Sequence, residues 1–170
     1  YEADGLLYLK SGSKGQNILA KQGDDLRIDW GYFYMVAGKE NTAYSVGNST
    51  ELRKNFVNGT LNSASLEGED SNGNMALVRS HGKVKNVTDK IMLGYDDIYS
   101  IQYFGTNLRP YWNSKGDRTI EAEMLAAYNE YDKLLARCYA FDKKLMEDAS
   151  AAGGKEYAEL CALAYRQSIA

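Results

Sequence analysis

The stretch LRIDWGYFYMVAG, residues 26–38, is the part of the sequence that most directly predicts the fold. From Trp30 onward nearly every position is apolar or aromatic, so both faces of an extended strand would be apolar. Such a strand is typical of the centre of a sheet or of a sheet covered on both sides. Arg27 and Asp29 precede this run directly. They are either an ion pair that anchors the start of the strand or part of a binding cleft, and the sequence leaves both interpretations open.

The spacing of apolar residues changes near Asn113, and this change predicts an α+β chain. Before that point apolar residues alternate in short runs between turn signals, which is typical of antiparallel strands. After it they recur every three or four residues, which is typical of helices. We therefore predict a β-rich region over residues 1–113 and a helical region over residues 114–170. The AAGG sequence at residues 151–154 interrupts the helical pattern and predicts a helical hairpin.

Two local signals add detail to the β-rich region. The KEN sequence at residues 39–41 is a turn between two strand patterns, WGYFYMVAG and TAYSVG, which could form a β-hairpin. Asn48 as a cap, Glu51 in the first turn and Gly59 as a stop predict a short helix near residues 49–57.

Composition limits the classes of function. The chain has 170 residues, is 44% hydrophobic and 25% charged, and can therefore bury a sizeable core. A net charge of −3 without a dense basic patch argues against nucleic-acid binding, and no apolar run is long enough for a membrane span. No Cys and His residues have metal-site spacing, so we expect neither a metal nor a cofactor. Cys138 and Cys161 are predicted to be free, buried thiols.

Three segments combine aromatic and charged residues and supply the candidate binding residues. They are residues 27–34, 94–105 and 108–113. Tyrosine and tryptophan join an apolar ring to a polar group, which suits a ligand cleft as well as a half-buried sheet face. The alternative interpretations are strand anchoring, turn formation by aspartate, and packing of the segment that precedes the helices. The candidate cleft residues are Asp29, Trp30, Tyr34, Asp96, Asp97, Tyr99, Arg109 and Trp112. No catalytic residue is assigned.

The sequence resembles the bacterial and fungal glutaminase A-type family. The resemblance is carried by RIDWGYFYMVAG, by IMLGYDDIYSIQYFGTNLRPYW and, most specifically, by CYAFDKKLMEDASAAGGKEYAELCALAYRQSIA. It implies an antiparallel β-sandwich portion followed by the first hairpin of a six-hairpin α/α toroid, truncated within the toroid. It also implies a secreted, periplasmic or cell-envelope parent protein that hydrolyses glutamine to glutamate and ammonia. The chain begins at Tyr1 and ends within a helical pattern, so we expect a piece of a larger protein that is inactive alone.

Three functions therefore stay open at the level of sequence. The first is a fragment of a glutaminase-like hydrolase. The second is a relative of glycoside hydrolases, in which aromatic residues bind sugar and two carboxylates act as acid and base. The third is a carbohydrate-binding or structural β module without catalysis. The expected partners are a small-molecule or carbohydrate substrate of the parent, the remaining helical domain of the same chain, and a second copy of the fragment through exposed apolar helix surface.

Overall fold

A computed structural model of the chain describes residues 1–20, 30–61 and 73–168. Antiparallel strands precede one long C-terminal helix, so the fold is mixed α+β, as predicted. The sandwich packing of the sheets stays a prediction. The strands are β1 (Glu2–Ala3), β2 (Leu6–Gly12), β3 (Tyr32–Gly38), β4 (Thr42–Gly47), β5 (Asn74–Arg79), β6 (Met92–Asp96), β7 (Ile101–Tyr103) and β8 (Thr106–Leu108). The helices are α1 (Ser49–Val57), a 3₁₀ turn at Tyr111–Asn113, and α2 (Ile120–Ser168).

The main sheet has the strand order β1-β2-β3-β6, with every neighbouring pair antiparallel. β3 lies between β2 and β6, which confirms the central position predicted from its apolar faces. β1 and β2 are joined by Asp4 and Gly5, both with positive φ. This conformation suits the right-handed twist of a two-residue hairpin, and Asp-Gly is one of the sequences that favour it.

The core of the main sheet is apolar on both faces. Four successive residues of β2 are buried, which is possible only where each face of the strand is covered. The Tyr1 and Tyr8 rings stack with centroids 5.0 Å apart, and the Tyr1 hydroxyl donates to the Glu121 carboxylate at 2.6 Å. The buried residues of this region are Leu6, Leu7, Tyr8, Leu9, Trp30, Tyr34, Val36, Ala37 and Met124.

The hairpin that the sequence allowed between residues 30–38 and 42–47 does not form. The turn itself is present, since the Thr42 N–H donates to the Lys39 carbonyl at 3.3 Å and Asn41 has a φ of 54°. The two strands nevertheless join different sheets, because β3 pairs with β2 and β6 whereas β4 pairs only with β5 in a two-stranded sheet. A turn signal reports a change of direction but not the partner of the strand that follows.

The short helix α1 lies at the predicted residues. The Asn48 side chain accepts from the Thr50 N–H at 2.9 Å, which satisfies one of the free donors at the start of the helix. Leu52 is the buried residue of α1.

The long helix α2 is interrupted within the predicted AAGG break. Gly154 has a φ of 83° and leaves the helical conformation there. The Phe141 and Tyr165 rings, equally far along the chain from Gly153, lie 5.0 Å apart, so the chain reverses at this break. Cys138 and Cys161 are free, as predicted, but Cys138 is exposed and Cys161 is half-buried, so the expected burial of both thiols is wrong. Leu134 and Phe141, which lie at helical spacing from Cys138, are themselves 50% and 45% exposed, so this part of the apolar stripe is not covered within the described residues.

The chain divides into two compact units, residues Tyr1–Leu125 and Ala126–Ala170. The first unit extends beyond the change in apolar spacing near Asn113. It does so because the first turns of α2 contact the sheet: Glu121 accepts from Tyr1, and Met124 packs close to Gly94. Thr119 precedes α2 and caps it, since its hydroxyl accepts from the Ala122 N–H at 3.2 Å.

Candidate functional site

The start of β3 is bound to the loop that follows β6. The Trp30 indole N–H donates to the carbonyls of Asp97 and Tyr99, at 2.8 and 3.1 Å. The Tyr95 hydroxyl donates to the Trp30 carbonyl. Trp30 and Tyr34 are 7% and 2% exposed, so both candidate residues belong to the core of the sheet. Asp29 lies outside the described residues, as does Arg27.

Asp96 and Asp97 each bind a group of their own loop. β6 ends at Asp96 and β7 begins at Ile101, so the segment of residues 94–105 is not one continuous strand. The Asp96 carboxylate accepts from the Ile98 N–H at 3.0 Å, and the Asp97 carboxylate accepts from the Ser100 hydroxyl at 2.5 Å. Both side chains thus form turns, which is the structural interpretation that the sequence offered for them.

The loop between them contains a strained residue. Ile98 has a φ of 59°, which is uncommon for a β-branched residue, and the Tyr99 N–H donates to the Asp97 carbonyl at 2.5 Å across it. Such a conformation costs about 1–3 kcal/mol and persists only when neighbouring contacts enforce it. The two hydrogen bonds from Trp30, together with those that the Asp96 and Asp97 carboxylates accept, are such contacts here.

The Arg109 guanidinium lies over the ring of Tyr99. The guanidinium carbon of Arg109 lies 5.1 Å from the ring centroid, within the range of a cation–π interaction. Arg109 also passes close to Gly116, where an added Cβ would lie 3.1 Å from its Nε. The ring below and the glycine beside it restrict where the guanidinium can lie. Trp112, in the 3₁₀ turn, is half-buried.

An open cavity of about 400 Å³ lies beside Arg109. It is built from β7, the end of β8 and the 3₁₀ turn, all in the first compact unit. The described residues that line it are Ser100, Ile101, Leu108, Arg109, Pro110, Tyr111 and Ser114. Of the predicted candidates that the structure describes, Arg109 alone lines this cavity, and the Tyr99 ring lies against the Arg109 guanidinium. Ser100, Tyr111 and Ser114 were missed, because no pattern in the sequence predicts which residues meet after the strand ends.

Exposed aromatic rings extend from the cavity along the β7–β8 hairpin. Tyr103, Phe104 and Tyr111 are 62%, 91% and 96% exposed. The Tyr103 and Phe104 rings meet edge to face with centroids 4.5 Å apart. Phe104 occupies the hairpin turn with a φ of 45°, a position that Asn or Gly favours. Aromatic rings this exposed mark a surface that is suited to contact a ligand or a partner.

The one histidine belongs to a separate network. His81 Nε2 lies 3.0 Å from the Asp89 carboxylate, which also receives two hydrogen bonds from Arg79, at 2.7 and 3.2 Å. The Arg79 hydrogen bond is the main cause of a lowered Asp89 pKa. Arg79 also donates to the Gly38 carbonyl at 2.6 Å, so the network ties β5 to the end of β3.

The described part of the chain lacks two kinds of structural feature. It contains no group of three or more His, Cys, Asp or Glu side chains that could hold a metal ion. No helix within residues 1–20, 30–61 and 73–168 combines the length and apolar character that crossing a membrane requires.

These observations define a mixed α+β chain with an open cavity whose described lining combines one arginine, two serines, one tyrosine and three apolar residues. The chain belongs to the family described as a domain of unknown function, DUF5127, whose family model matches residues 1–148. Neither a curated protein nor a solved structure matches the chain. Membership of the family is therefore established, and the narrower resemblance to glutaminase A-type proteins is carried by the sequence motifs alone.

Proposed function

We propose that this chain is a non-catalytic part of a glutaminase-like hydrolase. The resemblance of its three longest motifs to the glutaminase A-type family supports this proposal, and it implies amide hydrolysis of glutamine by the parent protein. The same resemblance supports an extracellular, periplasmic or cell-envelope location of the parent. The isolated chain contributes the sheet and the helical hairpin and hydrolyses nothing alone.

The engagement of Asp96 and Asp97 in their own loop is the observation that carries the non-catalytic part of this proposal. Amide hydrolysis needs a nucleophile or a water molecule beside a general base that is free to take a proton. Asp96 and Asp97 bind groups of their own loop, and His81, which is in contact with Asp89, is not among the described residues that line the open cavity. The described lining of the open cavity contains no carboxylate and no imidazole. Ligand binding at this surface is thus better supported than bond cleavage.

A glutaminase assay on two proteins tests the proposal. The full-length parent and the isolated chain are incubated with L-glutamine across a range of pH, and released ammonia is measured. We expect activity from the parent and none from the chain, with circular dichroism showing that the chain is folded. A parent that releases no ammonia at any pH contradicts the hydrolase assignment, and turnover by the isolated chain contradicts the non-catalytic role.

A carbohydrate-binding β module is the second candidate, because of the exposed rings of Tyr103, Phe104 and Tyr111. Tyrosine rings offer an apolar face together with a polar hydroxyl, as sugar surfaces require. A glycoside hydrolase is less well supported, since it needs two carboxyl groups across a cleft and both Asp96 and Asp97 are occupied in turns. Binding of oligosaccharides by a parent without any hydrolase activity would favour the module.

A further inference from the structure

We infer that the open cavity beside Arg109 binds a sugar residue that carries a carboxylate, such as a uronic acid within a glycan. This inference rests on the second candidate function, carbohydrate binding, and names the class of sugar. It is argued from the charge, the apolar surface and the hydroxyl groups of the cavity.

The positive charge of Arg109 favours an anionic ligand in this cavity. Arg109 is the one charged side chain in the described lining of the cavity. Within the described residues its guanidinium faces the Tyr99 ring and forms no salt bridge with a carboxylate, whereas Arg79 and Arg118 each have an acidic partner. A guanidinium presents a planar set of donors that matches a carboxylate with two parallel hydrogen bonds. Support from Tyr99 restricts these donors before any ligand arrives.

The other described lining residues are suited to a ligand ring that has both apolar faces and hydroxyl groups. Tyr111 is 96% exposed, and Ile101 and Leu108 are 54% and 39% exposed, so much of the described lining is apolar. Ser114 offers a hydroxyl to a ligand. The Ser100 hydroxyl donates to Asp97 and keeps its capacity to accept a hydrogen bond from a ligand. A volume of about 400 Å³ lies within the range of small-ligand sites.

Other anions fit these features less well. A free amino acid, glutamine included, would bring its ammonium group near Arg109, and the described lining has no acid to pair with it. A small inorganic anion would bind the guanidinium but leave the apolar lining unused. A carboxylate on a sugar ring uses the guanidinium, the exposed tyrosine ring and the serine hydroxyls together.

Calorimetric titration with a matched pair of sugars tests the inference. The isolated chain is titrated with a short oligogalacturonate and with its methyl ester, which keeps the ring and removes the charge. We expect the acid to bind at least roughly tenfold more tightly than the ester, as loss of a charge-assisted pair predicts. Arg109→Gln should lower the affinity for the acid to that for the ester. Arg109→Lys, which keeps the charge but loses the planar donor set, should fall between them.

Two further variants separate recognition from general charge attraction. Lys115 follows the lining residue Ser114 in the chain but is exposed and is not itself among the described lining residues. Lys115→Gln removes this positive charge and should leave the affinity within about twofold, since exposed charges interact weakly. Tyr111→Ala should weaken acid and ester alike. Thermal unfolding checks that each variant is folded, and the comparison of acid with ester needs only the unaltered chain.

Each contrary result identifies what fails. Equal binding of acid and ester overturns acid recognition but leaves carbohydrate binding intact. If neither sugar binds, acid recognition and carbohydrate binding are both overturned. A loss with Lys115→Gln as large as that with Arg109→Gln shows diffuse charge attraction and overturns the site. Binding of benzoate as tight as that of the oligogalacturonate overturns the requirement for a sugar. The glutaminase assay on the parent is independent of all these outcomes.

Discussion

The Trp30 side chain joins the start of β3 to the loop that follows β6. Its indole N–H serves two carbonyls that are 67 and 69 residues away in the chain. A partly buried carbonyl that loses its donor bears part of the cost of its removal from water. The Trp30 N–H therefore contributes to the geometry of the loop around the strained Ile98, beside the hydrogen bonds that Asp96 and Asp97 accept.

Replacing Trp30 by phenylalanine tests this dependence. Trp30→Phe keeps an aromatic ring but removes the N–H, and we expect it to lower the free energy of unfolding by about 1–3 kcal/mol. Trp112→Phe is the matched control, because Trp112 is only half-buried and should cost less. Denaturant unfolding is followed through the fluorescence of the tryptophan that each variant retains. Equal losses in the two variants would contradict the role assigned to the Trp30 N–H.

The Tyr34 hydroxyl makes the free energy of unfolding depend on pH in the alkaline range. Burial raises its pKa to about 12, and the carboxylates of Glu121 and Asp96 add to this shift. An unfolded tyrosine has a pKa of about 10, so the folded chain holds this proton more tightly than the unfolded chain does. The stability that Tyr34 contributes is complete below pH ~10 and is lost as the pH rises towards about 12.

Tyr34→Phe should therefore flatten the loss of stability at alkaline pH. The measurement is the free energy of unfolding as a function of pH in the two proteins, and the difference between them should change mainly above pH ~10. Tyr111→Phe, which alters a ring that is 96% exposed, serves as the control and should follow the unaltered chain. A Tyr34→Phe curve that runs parallel to that of the unaltered chain would show that Tyr34 does not titrate with unfolding.

At the scale of elements, Gly31 lets β3 approach the end of β6. Gly31 has a φ of 83°, and an added Cβ would overlap the Asp96 carbonyl oxygen. Gly5, in the β1–β2 turn, has a nearly equal φ of 80° but open space around the same position. Comparing alanine substitutions at Gly5 and Gly31 therefore separates two costs in stability: that of a positive φ, which both share, and that of a steric overlap, which only Gly31 has.

Alanine at the two glycines should have unequal effects. Gly5→Ala should cost about 1–2 kcal/mol of stability, the cost of a left-handed conformation for a residue with a Cβ. Gly31→Ala should cost roughly 1–3 kcal/mol more, because backbone atoms of Asp96 must move. Thermal or denaturant unfolding measures both. A Gly31→Ala variant as stable as Gly5→Ala would mean that the two strands have room to separate.

Local patterns in the sequence predicted the positions of helices and strands better than they predicted which strands pair. The central strand β3, the helix α1 and the break near Gly154 all follow from the spacing of apolar, capping and glycine residues. The separation of β3 and β4 into two sheets does not, because the KEN turn contains no information about long-range pairing. Tyr99 and Arg109 were found as candidates from their aromatic and charged surroundings. Tyr111 and Ser114 reach the same cavity only through the 3₁₀ turn, whose path is set by tertiary contacts.

For the whole molecule, the exposed apolar residues of the C-terminal unit bear on its assembly. Leu160 and Leu163 are 62% and 54% exposed, and their spacing places both on one side of the helical segment. Apolar surface of this kind promotes association because water is released when it is covered. We therefore expect the isolated chain to self-associate as its concentration rises.

A double substitution in the hairpin tests this expectation. Leu160→Gln with Leu163→Gln should lower the sedimentation coefficient measured at high concentration towards that of a monomer, without loss of helix in circular dichroism. Val84→Gln with Val87→Gln is the matched control, since both valines are 54% exposed but lie in the first compact unit. If the control pair reduces association as much as the leucine pair does, association arises from general apolar exposure and not from the hairpin. If the unaltered chain stays monomeric at every concentration, the exposed leucines do not drive association by themselves.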